Sequence, residues 1–129
     1  MNKYTELSDF EINCHILETF EPNIIHMSLS RDEKSFFHCG HDGNGFYEIT
    51  IPDYCNNPSD AMPIIIENEI SVTLSDDNDE GKWMAFDGYW CDEYSLSRTL
   101  VSYGDNYYRI AMEVYLLMKD AENENNNNS

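Results

Sequence analysis

The chain has 129 residues, 41% hydrophobic and 13% aromatic, and sets 25 Asp and Glu against 7 Lys and Arg for a formal net charge of −18. That length suits one domain with a real core, and the apolar content separates it from disordered acidic chains, which are poor in aromatic and branched residues. The charge repels nucleic acid and anionic lipid and attracts basic protein surfaces, so direct nucleic-acid binding and membrane association are set aside.

The acids are spread along the chain, eleven before Ile64 and fourteen after Ile65. Without the last ten residues, 22 acids against 7 bases still leave −15 on the body. No stretch approaches the ~18 uninterrupted apolar residues of a membrane helix. Met1-Asn2-Lys3-Tyr4 runs into acids rather than an apolar core, so no signal peptide is expected and the protein is read as soluble and cytoplasmic. Cys14, Cys39, Cys55 and Cys91 lie far apart with no CxxC, which reads as small buried hydrophobes.

In chain order, Ser8 followed by Glu11 is a capping-box pattern, with the Ser hydroxyl accepting from the Glu11 N–H while the Glu side chain reaches back. Phe10, Cys14 and Leu17 recur at i, i+4, i+7, predicting an amphipathic helix over 9–20 that Pro22 stops. Residues 35–39 and 46–51 are rich in aromatic and β-branched types around a glycine-rich 40–45, and predict a hairpin. Asn57 before Pro58 is helix-start chemistry, predicting a short helix through about 67. Pro63 weakens it by removing one backbone bond and crowding the preceding turn. The alternative is one helical turn and then an extended segment. Ile70, Val72 and Leu74 alternate with polar residues as a half-buried strand, with 82–86 as its hairpin partner. Residues 88–104 show no period and read as a loop anchored by Trp90 and several Tyr. Ile110, Val114, Leu117 and Met118 make an apolar stripe that predicts a helix over 107–121. Residues 122–129 are an Asn-rich tail with nothing to bury and read as disordered.

Three stretches carry a resemblance. They are 4–13 (YTELSDFEIN), 53–68 (DYCNNPSDAMPIIIEN) and 109–118 (RIAMEVYLLM). Together they resemble the NinX-like family of small phage and prophage proteins, in that family's order. Met62 stands where the family often has Trp, and residues 21–50 match less well. The resemblance implies phage origin and expression in a bacterial cytoplasm, and implies no catalytic residue.

Several constellations invite chemistry. Asp76-Asp77-Asn78-Asp79-Glu80-Gly81 with Asp87 at the twelfth position approximates a calcium loop. Its fifth position is Glu, its last ligand is the shorter Asp, and its flanks read as strands, so a solvated acidic hairpin tip is favoured. His38-Cys39-x-His41 suits zinc, yet lacks a second paired motif among Cys14, His15, Cys55 and Cys91. Cys55 with His38 makes a nucleophile pair on paper, and nothing marks the thiol as activated. The glycines fit no phosphate loop. No catalytic residue, metal or cofactor is therefore expected.

Two groups remain as binding candidates. Tyr54, Asn56, Asn57, Ser59 and Asp60 either build the start of a helix or line a groove, with helix-start chemistry favoured. Trp83, Tyr89, Trp90 and Tyr94 serve a core or an interface, with core favoured; a homodimer built on them is one option. Asp76, Asp77, Asp79 and Glu80 complete the candidate surface. The expected architecture is a single α+β domain over 1–121, its terminal helices packed on short antiparallel hairpins with a short central helix. The expected function is non-enzymatic: binding a host nucleic-acid-handling or defence protein by a nucleic-acid-mimicking acidic surface. The runner-up is a binder that sequesters a nucleotide defence signal, for which Arg109, Arg98, Lys82 or backbone N–H groups would have to gather against the global charge.

Overall fold

The Ser8 capping box forms as its residue types require. Ser8 Oγ accepts from the Glu11 N–H at 3.1 Å and Glu11 Oε1 accepts from the Ser8 N–H at 3.2 Å, two donors that a helix start otherwise leaves unpaired. It opens α1 (Asp9–Phe20). The computed structural model describes residues 2–39, 45–76, 79–88 and 100–127. A 3₁₀ turn (Pro22–His26) follows, entered through the proline that ends α1.

β1 (Ser28–Leu29), β2 (Ser35–Cys39) and β3 (Phe46–Thr50) make an antiparallel sheet in that order. The predicted hairpin is β2–β3, in register from Ser35 opposite Thr50 to Cys39 opposite Phe46. Phe36, Ile49 and, just beyond β3, Ile51 pack against the core and anchor this sheet to the body. On its other face Phe37 stacks on Phe46 with centroids 5.9 Å apart.

α2 (Pro58–Glu67) forms as a helix despite Pro63, which decides between the two readings of that segment. Asn57 accepts from the Ser59 N–H at 3.1 Å and caps it, an interaction worth about 1 kcal/mol. Ala61, Ile64 and Ile65 face the core while Ser59 and Pro63 are exposed. The carbonyl that Pro63 deprives of a donor thus lies on the side where water can serve it.

The second sheet runs β4 (Ile70–Leu74), β5 (Trp83–Asp87), β6 (Val101–Gly104), all antiparallel with β5 central. β4 and β5 are the predicted hairpin, β5 displaced by one residue. β6 lies in the segment read as a loop, and residues 89–99 of that segment are outside the described residues. The hairpin end is tight: a Cβ on Gly81 (φ +127°) would meet the Gly104 backbone at 2.6 Å.

α3 (Tyr107–Asn127) packs against all three strands of this sheet and against α1 and α2. Asn106 caps it, its Oδ1 accepting from the Tyr108 and Arg109 N–H groups at 3.0 and 3.1 Å. The helix continues past the predicted end at Ala121, since extension of a formed helix fixes one residue per added bond. It is also buried more widely than its stripe implies: every residue from 110 to 116 is buried, Glu113 included. A helix covered by a sheet on one side and helices on another has no solvent face to keep polar. The arrangement is the expected α+β one, with terminal helices, short antiparallel strands and a short central helix.

Candidate functional site

The polar residues of the chain converge where the start of α1, the 53–60 segment and the head of α3 meet. Asn13 is 8% exposed; its Oδ1 accepts from the Cys55 N–H and its Nδ2 donates to Asp53, both at 3.1 Å. Asn56 donates to Asp9 at 3.2 Å and to both oxygens of Asp53 at 3.2 and 3.3 Å, and accepts from Asn106 at 2.9 Å. Asp60 accepts from the Asp53 N–H at 3.2 Å. These bonds tie three separate stretches of chain into one corner.

Below them lies an ionic network that runs from the part-exposed Asp9 to the buried Glu113. The Arg109 guanidinium donates to Asp9 at 2.7 Å, to Glu113 at 2.9 Å, and to the carbonyls of Tyr4 and Leu7 at 3.0 and 2.7 Å. Glu113, 4% exposed, also accepts from Ser102 at 2.9 Å and Asn2 at 3.3 Å. Burial alone works against the Arg109 charge, and the bonds to Asp9 and Glu113 outweigh it and raise its pKa. Burial likewise works against the Asp9 carboxylate, but bonds from Arg109 and Asn56 hold its pKa below the ordinary value. A forked guanidinium bridging two acids and two carbonyls fixes the N-terminal segment onto α3.

The sequence candidates distribute unevenly over this geometry. Tyr54 is 7% exposed and belongs to the core; burial, with Asp60, Tyr115 and Glu21 behind it, pushes its phenol up to about 12. Asn57 serves as the α2 cap, while Asn56 and Asp60 lock the corner. Trp83 is half-buried against the core and sits edge-on to Tyr107 at 5.2 Å. Trp90, Tyr89, Tyr94 and Asp77 lie outside the described residues. Asp76, Asp79 and Glu80 are exposed.

The calcium-loop reading meets a geometric obstacle. Asp87 is opposite Ile70, at the end of the β4–β5 ladder remote from the tip that carries Asp76. Four strand steps from Trp83 to Asp87 put it about 13 Å along the strand, where it cannot close a loop around an ion held by the tip. Among the described residues no three His, Cys, Asp or Glu gather as a metal-holding group. His38 and Cys39 are exposed on β2 and His41 lies outside the described residues. The reading of the cysteines as buried holds for Cys55 alone among those described, with Cys14 half-buried and Cys39 exposed. Burial, then the neighbouring Asp9, pushes the Cys55 thiol up to about 12, the opposite of an activated nucleophile.

Arg109 is one of the three cations, with Arg98 and Lys82, that the nucleotide-binding reading draws on; its donors are engaged inside the fold. Sequence reasoning missed that role. The available signal was an Arg and a Glu four residues apart within an apolar helical run, which an exposed helix shows as readily as a buried one.

Cys55 and Tyr54 set an alkaline limit on stability. Their folded pKa values of about 12 lie above the ordinary 9.0 and 10.0. A raised pKa contributes stability that is complete below the unfolded value and is lost as pH rises through the folded one. The urea midpoint should therefore fall steadily from about pH 9 to about 12. Cys55→Ala should flatten the part of the profile below about pH 10; an unchanged slope there would show that the thiol does not contribute.

The sequence profile described as Bacteriophage P22, NinX matches residues 3–119. No curated protein matches the chain. Among solved structures, a phage protein from Bacillus cereus ATCC 14579 is similar in fold at a TM-score of 0.56 and 15% identity, over 93% of this chain and 94% of that one. With the profile spanning nearly its whole length, the chain belongs to the NinX family of phage proteins.

Proposed function

We propose that this is a non-catalytic phage accessory protein that acts in the host cytoplasm. In this reading it binds a host nucleic-acid-handling or defence protein through an acidic surface that stands in for nucleic acid. The observation that carries the reading is the placement of charge. Glu113 alone among the described acids is buried, and the other described acidic residues are exposed or partly exposed. Arg109, one of only seven bases, is neutralised inside the fold. With Arg109, Asp9 and Glu113 set aside, 23 acids against 6 bases still leave −17 on the rest of the chain, and carboxylates on a rigid scaffold compete with phosphates for a basic cleft.

Capture of host proteins on the immobilised chain tests this. The expected result is a basic nucleic-acid-binding protein retained at low salt, released near about 0.5 M salt where screening is nearly complete, and displaced by added duplex DNA. Retention that DNA does not compete, or no retained protein, would sink the reading.

A further inference from the structure

The stripe that marks α1 as amphipathic does not all face the core. Ile12, Asn13, Ile16 and Leu17 are buried, whereas Phe10 and Cys14 are only half-buried. They form one wall of a groove of ≈ 350 Å³ between α1, the 3₁₀ turn and β2, with Ile25, Met27 and Phe36 on the other sides. Ile25 is 64% exposed there. The ionisable side chains lining the groove besides Cys14 are Glu11, Glu18 and the His15 imidazole, with no Lys or Arg. The Cys14 thiol is raised by burial, then by Glu33 and Glu11.

We propose that this groove docks an amphipathic segment of the partner protein, its apolar side chains on Phe10, Ile25, Met27 and Phe36 and its flanking Lys or Arg on Glu11 and Glu18. The proposal rests on the reading under Proposed function and names its contact surface. An apolar floor with Glu11 and Glu18 on its rim selects that chemistry: the floor rewards burial of apolar side chains, and the two carboxylates reward cations. A second copy of this chain is the poorer occupant, because it brings another −18 to an acidic rim. The volume lies near the low end for small-molecule sites, and fits a few side chains of a helix laid along the groove.

The test uses a fluorescein-labelled peptide of Leu and Lys, about 15 residues long so that it can become helical on binding, and a scrambled peptide of the same composition without an apolar stripe. Anisotropy titrations would compare the full chain with Ile25→Asp, Glu18→Lys and a control, Glu67→Lys, at an exposed position of α2. Ile25, Glu18 and Glu67 are exposed, so the variants keep the fold, and thermal melts verify that. The expected result is about tenfold weaker binding for Ile25→Asp, for Glu18→Lys and for the scrambled peptide, with Glu67→Lys within about twofold of the parent. Equal losses for Glu18→Lys and Glu67→Lys, or equal affinity for both peptides, would overturn the groove while leaving the acidic-surface reading standing. Absence of peptide binding would also overturn it, and DNA-competed capture would then judge the broader reading by itself. A dimer in sedimentation that Ile25→Asp dissolves would assign the groove to a second copy, against the proposal.

Discussion

Replacing Arg109 by Ala should lower the unfolding free energy by about 3–5 kcal/mol, the range for breaking a buried ion pair by removing one partner. The cost arises because Glu113, 4% exposed, would keep its charge in a place water does not reach, with only Ser102, Asn2 and the distant Thr5 hydroxyl left to serve it. The Tyr4 and Leu7 carbonyls would lose their donor as well, freeing the N-terminal segment from α3. The pair Arg109→Met with Glu113→Gln should recover much of the loss, since it removes the buried charge while the Gln oxygen can still accept from Ser102. Chemical denaturation of the two variants decides the matter. A double variant as unstable as Arg109→Ala alone would mean that shape, rather than the orphaned charge, sets the cost. Asp9 adds a pH term of known sign: its lowered pKa contributes stability above about pH 4, which is lost as pH falls through the folded value.

Gly81→Ala should destabilise the second sheet by about 3 kcal/mol or more, from strain and overpacking together. Gly81 has φ +127°, and its added Cβ would stand 2.6, 2.7 and 2.9 Å from the Cα, C and N atoms of Gly104. All three are backbone atoms, so no side chain can swing aside. Gly104 has little room to retreat, because its own face is closed by Ile110 Cγ2 at 2.8 Å from where a Cβ would sit. The strain therefore passes from the β4–β5 turn through β6 into α3. Thermal unfolding reads the effect, and hydrogen exchange at the β5–β6 amides should locate it. A melting temperature equal to the parent's would mean that the turn relaxes without disturbing β6.

Legibility from sequence followed the range of the interaction. The Ser8–Glu11 box and the Asn57 cap are complete within a few residues, so the helix starts could be read directly. The β2–β3 and β4–β5 hairpins were readable because turn residues lie between alternating runs. β1, at two residues, is too short to show a period. β6 was hidden for a chemical reason: Ser102 points inward to bond Glu113, which inverts the apolar-in pattern that reveals a strand. Of the polar residues in 53–60, Asn57 is the helix cap that its residue type predicts, whereas Asp53 and Asn56 bond to Asp9, Asn13 and Asn106, which come from chain far away.

The sequence by itself determined the family, the places where helices begin, the pairing of two hairpins and the excess of negative charge, because these rest on local spacing or on composition. Tertiary structure alone decided which side chains are buried. It turned Arg109 from a free cation into the centre of a closed network, enclosed the middle of α3 all round, and left Phe10 and Cys14 of the α1 stripe beside a groove instead of in the core. The physical reason is common to all three. Burial depends on what else packs against an element, and the sheet, the 3₁₀ turn and the N-terminal segment that do so are remote from it in the chain.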